Sequence, residues 1–293
     1  MTDPAVLLPS DPPAPRRPDP HFLREARAVR ELGGVCALVD HDALVAGDAV
    51  EAVRRVPKGL GPLWYRGWMV DVAAYRALAD ALEERGGTLL TTPAGFASAH
   101  ELPGWYGVFE GATPASAWLP RGGRGGRAEV AELAQRLGGC GPAIVKDYVK
   151  SRKHEWDEAC FVPDLADLDG VVRVVGRFVE LQGDFLAGGV VLRQYEEFVR
   201  DAGGRAEEAR VWWLDGEPVL VGPHPDTPDS NPEPELSAVR ALVRSLGCRF
   251  VTTDLALRAD GRGWRVVEVG EGQVSDLPAH ADATPLIAAL LGS

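Results

Sequence analysis

Short apolar runs bounded by turn formers alternate with stretches in which apolar residues recur every three or four positions, and this alternation predicts an α/β chain. Gly34 to Asp40 (GVCALVD) reads as a buried strand of a parallel or mixed sheet. From Asp71 to Gly86, Val72, Tyr75, Leu78 and Leu82 recur at helical spacing, with Asp71 placed to cap the start and glycines at the end. A strand over Thr88 to Thr92 follows, and the loops between these elements hold Arg66, Trp68, His100, Trp105 and Tyr106. Ahead of them, Met1 to Pro20 is rich in proline, lacks the apolar core of a signal peptide, and reads as a disordered or extended tail.

The second half has a different rhythm. Helix Ala128 to Leu137 leads into strand Ala143 to Val149, and helix Val171 to Leu181 into strand Gly189 to Tyr195. Strands Ala209 to Leu214 and Pro218 to Val221 flank Asp215-Gly216, a hairpin signal. Helix Glu235 to Leu246 precedes strands Arg249 to Leu257 and Trp264 to Val269, joined by the turn Ala259-Asp260-Gly261, and a last helix starts near Thr284. Between the halves, Arg121 to Arg127 (RGGRGGR) looks at first like a phosphate loop or an RNA-binding segment. No strand ends at it and no Lys-Ser or Lys-Thr closes it, so it reads as a linker. The expected organisation is a tail over 1–20, an N-terminal α/β lobe over 21–120, the linker over 121–127 and a second domain over 128–293.

Composition narrows the class. At 293 residues the chain can bury a large core, and with 45% hydrophobic and 25% charged residues it has the make-up of a soluble globular protein. A net charge of -12 argues against non-specific nucleic-acid binding, and the absence of an apolar run long enough to span a bilayer argues against a membrane protein. A cytoplasmic location is the expectation. Cys36, Cys140, Cys160 and Cys248 lack disulfide or zinc-type spacing and read as free, buried thiols. Asp40, His41 and Asp42 have metal-ligand chemistry, but a polar turn at a strand end accounts for them more simply.

The chemistry gathers in the second half. Lys146 ends an apolar strand (PAIVK), and Lys150, Ser151, Arg152 and Lys153 follow it. Glu208 and Arg210 head the hairpin, and Asp254 and Glu268 lie on the two late strands. A lysine at a strand end can place one charge against phosphate oxygens, and an arginine can grip a phosphoryl group in two places. Magnesium takes hard oxygen ligands and needs only one or two carboxylates beside phosphate and water. Each residue alone has a bland reading as a solvated strand end or a surface ion pair, and their order carries the argument.

That order, PAIVKDYVKS, VVLRQYEEF, EEARVWWLDGEPVL and TTDLALRADGRGWRVVEVGEGQ, resembles the ATP-grasp superfamily, and within it a small bacterial and phage branch. The resemblance implies an ATP-grasp fold of α/β (α+β) class. A pre-ATP-grasp lobe would precede two α+β subdomains, about 128–195 and 196–293, with ATP and Mg2+ as cofactors. It implies that Lys146, with Lys150, Ser151 and Arg152, contacts the nucleotide, that Glu196 and Glu197 are the candidates for holding the ribose, that Arg210 stabilises the transferring phosphoryl group, and that Asp254 and Glu268 bind magnesium. Arg66, Arg193 and Gln273 are further candidates for substrate contacts.

The implied reaction joins a small-molecule or peptide carboxylate to an amine through an acyl phosphate, releasing ADP and phosphate. A nucleotide-binding regulatory module without turnover, or a phosphotransferase to a non-carboxylate acceptor, is the alternative. Two features depart from the family pattern. Lys150 to His154 stands where a glycine-rich flap is usual, and Gly270 stands where an asparagine often completes a second magnesium site, with Glu271 and Gln273 the nearest substitutes.

Overall fold

The computed structural model describes residues 3–201, 203–278 and 281–293. The chain divides into two compact units, the first built from residues up to Ala99, Glu207–Leu255 and Glu268–Ser293, the second from His100–Ala206 and Ala256–Val267. The division falls at Ala99, not at the glycine-rich stretch, and the first unit recruits two later segments that the sequence boundaries assign elsewhere.

In the first unit, β1 (Ala5–Asp11) and β2 (Ala14–Pro18) precede α1 (Leu23–Glu31), β3 (Cys36–Val39), α2 (His41–Val45), α3 (Ala49–Ala52), β4 (Gly61–Tyr65), α4 (Val72–Glu83), β5 (Gly87–Leu89) and α5 (Pro93–His100), whose last residue opens the second unit. β1 lies between β3 and β4, parallel to both, β5 follows β4 in parallel, and β2 pairs antiparallel with the end of β1. Residues 5–11 are therefore not a tail. Ala5 and Leu7 join the core with Tyr65, Tyr75, Leu78 and Leu82, while Val6 and Leu8 face α1, Trp64 and the C-terminal helix residues Leu286, Ile287 and Leu290. A strand covered on both faces reads as a continuous apolar run without alternation, and the neighbouring prolines concealed it. Asp71 does cap α4, accepting from Ala74 N at 2.7 Å. Asp40 caps α2 in the same way, so the polar-turn reading of Asp40-His41-Asp42 accounts for this residue.

The second unit holds α6 (Leu102–Phe109), β6 (Ser116–Trp118), α7 (Arg127–Arg136), β7 (Ala143–Lys146), β8 (Phe161–Val162), α8 (Leu168–Gln182) and β9 (Val191–Gln194). Its sheet runs β6-β9-β7-β8, antiparallel throughout. Val171, Val174, Val175 and Phe178 of α8 cover it with Val130, Leu133 and Ala134 of α7. Two expectations change here. His100, Trp105 and Tyr106 lie on α5 and α6, not in loops. β7 stops at Lys146 because the buried Asp147 carboxylate captures the next amides, accepting from Val149 N at 2.7 Å and Lys150 N at 2.6 Å.

The remaining elements are β10 (Glu208–Leu214), β11 (Glu217–Pro223), α9 (Ser237–Leu246), β12 (Phe250–Leu257), β13 (Trp264–Glu271) and α10 (Thr284–Leu291), with the sheet order β11-β10-β12-β13. The β10–β11 turn is the one the sequence marks: Asp215 and Gly216 both have positive φ, 51° and 79°, as a two-residue hairpin matching the strand twist requires. Trp212 and Trp213 are fully buried packing residues. Among the described residues, no helix is long and apolar enough to cross a membrane. The cysteines are free, but Cys140 is exposed, contrary to the expectation that all four are buried; burial raises the Cys36, Cys160 and Cys248 thiols above their ordinary value.

Val6, Leu7 and Leu8 are each 0% exposed. Burial of side chains of this size stabilises by about 1.5–3 kcal/mol apiece, a sum comparable with a domain's whole net stability. Deleting residues 1–11 should abolish cooperative thermal unfolding followed by circular dichroism, whereas loss of a disordered tail would leave the transition unchanged.

Candidate functional site

Arg210 and Asp254 lie on the neighbouring strands β10 and β12, and the structure pairs them. Arg210 Nε donates to Asp254 Oδ1 and Nη2 to Oδ2, both at 2.8 Å. Their side chains are only 14% and 7% exposed, so the charges are matched inside the protein, where an uncompensated one would be costly. Burial on its own would raise the Asp254 pKa, but the Arg210 charge and its hydrogen bonds outweigh it and hold the carboxyl below its ordinary value. Burial likewise opposes the charge on Arg210, yet Asp254 first, then Glu268 and Glu208, raise its pKa above the usual value. Glu268, half-buried on β13, thus belongs to the same electrostatic neighbourhood.

His224 completes the group and was not singled out from the sequence. Its Nε2 lies 2.9 Å from Arg210 Nη2 and 3.5 Å from Asp254 Oδ2, and its Nδ1 accepts from Asp226 N at 3.1 Å. The hairpin register would have found it. Across the Asp215-Gly216 turn, Arg210 opposes Gly222 and the amide of His224 meets the carbonyl of Glu208, so His224 flanks the strand position that precedes Arg210 by two.

The donor set suits magnesium better than a transition metal. Two carboxylates stand on the strands β12 and β13, adjacent in the sheet, and no group of three or more His, Cys, Asp or Glu that could hold a metal occurs among the described residues. A hard cation that takes one or two protein carboxylates and completes its shell with phosphate and water fits such a pair. Both Asp254 oxygens accept from Arg210, whereas Glu268 makes no side-chain hydrogen bond or ion pair among the described residues. At Gly270 an added Cβ would sit 3.0 Å from Thr252 Oγ1 and 3.6 Å from Ser275 Oγ, and these two hydroxyls are themselves 2.6 Å apart. Side chains from two other positions therefore border the place where a residue-270 side chain would begin.

In the second unit, Lys146 is 3% exposed at the end of β7, with Nζ 3.5 Å from Val149 O. Ser151 bridges back to Lys146, Lys150 is exposed, and Arg152 donates to Gln182 Oε1 and Glu155 Oε1, both at 2.9 Å. The segment after Lys146 is thus pinned by side chains, through Asp147 and Arg152, in place of a glycine-rich flap. Of the two ribose candidates, Glu196 is held by Arg265 at 2.8 Å, while Glu197 is exposed.

The three substrate candidates take structural positions instead. Arg66 is 1% exposed; its Nε and Nη2 donate to both oxygens of Glu25 at 2.8 Å, and its Nη1 reaches the carbonyls of Gly272, Gln273 and Ser275. Gln273 is 0% exposed, accepting from the Tyr75 hydroxyl at 3.0 Å and donating to Glu271 at 3.2 Å. Arg193 is buried, donating to Val267 O and Thr113 Oγ1. Donors committed inside the protein are not available to grip a substrate carboxylate. Glu271, another residue near the metal strand, is 0% exposed, and burial lifts its pKa to about 7 against the opposing amide hydrogen bonds of Gln273 and Val274.

Asp254→Asn removes the charge that compensates Arg210 and should destabilise the protein by about 3–5 kcal/mol in urea unfolding at pH 7. Because the folded pKa of Asp254 lies below its ordinary 3.8, the pair's contribution is complete above that value and is lost as pH falls through the lower, folded pKa. The variant should therefore lose stability less steeply than the wild type below pH of about 4. A change under about 1 kcal/mol at pH 7 would place the pair with weak surface bridges.

A model of the ATP-grasp domain, the third family of its clade, matches residues 136–290, more than half of the chain. No curated protein matches it by sequence. Among solved structures, the fold is similar to that of the D-cycloserine synthetase DcsG, with a TM-score of 0.66, 15% identity and coverage of 98% of this chain and 99% of that one. It is also similar to the ATP-grasp ligase PsnB complexed with minimal precursor, Mg and ADP, at 0.58 with 14% identity over 100% and 99%. D-alanyl-alanine synthetase A from Vibrio cholerae O1 biovar eltor str. N16961 gives 0.56 with 12% identity over 100% and 95%. The fold is the full-length ATP-grasp fold, and the chain belongs to the ATP-grasp family, within the third family of its clade.

Proposed function

We propose that the protein is an ATP- and magnesium-dependent ligase that joins a carboxylate to an amine. A substrate carboxylate oxygen would attack the γ-phosphorus of ATP and ADP would leave; the amine would then displace phosphate from the acyl phosphate, giving up a proton as the amide forms. The observation that carries this reading is the buried Arg210–Asp254 pair with Glu268 in its electrostatic reach, in a chain of a family that typically uses ATP and magnesium.

Phosphoryl transfer asks the protein mainly to position groups and stabilise charge. Arg210 has the bidentate geometry to grip a phosphoryl group, and it sits where its charge is maintained. Lys146 would place a positive charge against phosphate oxygens, and Glu197 is the acidic side chain left to meet the ribose. Asp254 and Glu268 would hold magnesium, which when bound neutralises phosphate charge. The PsnB structures include a peptide precursor, and D-alanyl-alanine synthetase is named for a small product, so a peptide or a small acid is equally in scope as the carboxylate.

A second reading, nucleotide binding without turnover, draws on Gly270. With Thr252 and Ser275 bordering that position, the second magnesium site lacks its usual side-chain ligand. Calorimetric titration of a non-hydrolysable ATP analogue separates a nucleotide site from none. Binding should require magnesium and weaken at least tenfold in Lys146→Ala and in Glu268→Ala, each removing a charged contact of about 1.5–3 kcal/mol. Binding indifferent to magnesium and to both substitutions would overturn the proposal.

A further inference from the structure

The protein carries a net charge of -12, yet one cavity of its first unit is lined by four arginines. Its volume is about 570 Å³, and Ala14, Pro15, Arg16 and Arg17 of β2 line it with Arg54 and Arg55, which follow α3. None of these residues belongs to the proposed nucleotide and metal site.

The charges are poorly compensated from within. Arg16 and Arg17 are exposed and make no hydrogen bond or ion pair among the described residues. Arg55 has only a 3.9 Å approach to Asp40, and Arg54 pairs with Glu51 on the exposed surface of its own turn. Their backbone is held from outside the cavity. Arg85 donates to the carbonyls of Arg54 at 3.1 Å and Val56 at 2.5 Å, and β2 is registered on β1 through Ser10 opposite Pro18 and Asp11 opposite Ala14. Guanidinium groups stay charged at every physiological pH, so like charges gathered on a fixed frame repel one another until an anion joins them. The planar donor fork matches phosphate oxygens two at a time, and the volume is that of a small-molecule site.

We propose that this cavity is an anion site for a small molecule bearing a phosphoryl or diphosphoryl group, separate from the nucleotide site and independent of the ligase assignment. Inorganic pyrophosphate, titrated calorimetrically into the full chain without nucleotide or magnesium, is the probe. Saturable binding of one pyrophosphate per chain is expected. Affinity should fall at least tenfold in R16A/R17A, and also in R54A/R55A, which keeps the β2 arginines. It should stay within twofold in Lys146→Ala and in Arg262→Ala, the latter removing an exposed arginine that does not line the cavity. Melting curves of the variants matching the wild type confirm that the fold persists.

No saturable binding would overturn the proposal. So would loss of binding in Lys146→Ala with R16A/R17A unaffected, which would place the pyrophosphate among the nucleotide's phosphate contacts. An equal loss in Arg262→Ala would reduce the effect to net charge, and citrate binding tighter than pyrophosphate would overturn the phosphoryl assignment.

Discussion

A guanidinium withdrawn from water must find an acceptor for every donor, and in the first unit Arg66 meets that demand by joining distant stretches of chain. It stands just beyond β4, pairs with Glu25 of α1 and fastens the turn after β13 through the carbonyls of Gly272, Gln273 and Ser275. Trp64 makes a comparable link, donating to Leu290 O at 2.9 Å in α10. The first unit is assembled from segments far apart in sequence, and these buried polar contacts fix the late strands against the first sheet. Glu268 lies three residues before the turn that Arg66 holds, so the position of a metal-ligand candidate depends on an arginine that never meets the metal.

The same rule works differently at Arg210. Here the compensating carboxylate, Asp254, is also a proposed metal ligand, and the arginine is also the proposed phosphoryl contact. With no nucleotide bound the two neutralise each other at low exposure. A phosphate-bearing ligand with its cation offers each of them a partner of the opposite sign, so exchange of partners preserves charge compensation while it arms the site. A pair of this kind keeps two catalytic charges buried and ready without leaving either unmatched.

The sequence was most legible where local chemistry decides structure: the capping Asp71, the Asp215-Gly216 hairpin, the valine stripe of α8 and the order of Lys146, Arg210, Asp254 and Glu268. It was least legible where tertiary context decides. The run Ala5–Asp11 carries the signature of a doubly covered strand, but proline density pointed to a tail. α5 and α6 contain Gly95, Pro103, Gly104 and Gly107, which locally disfavour helix, and packing overrides them. Arg66, Arg193 and Gln273 looked like substrate contacts because isolated polar residues near motifs suggest function, and only burial distinguishes a structural arginine from a binding one. His224 became visible through strand register, which single-residue motifs do not express.

The central claim is that a carboxylate is activated as an acyl phosphate, and trapping with hydroxylamine tests it most directly. The protein is incubated with ATP, magnesium, hydroxylamine and pools of small acids and peptides, and hydroxamate and ADP are measured together. The account predicts that a productive pool yields hydroxamate and ADP in equal amounts, and that Arg210→Ala yields neither. ADP accompanied by a phosphorylated product stable to hydroxylamine would contradict the acyl-phosphate route and move the protein to phosphotransfer.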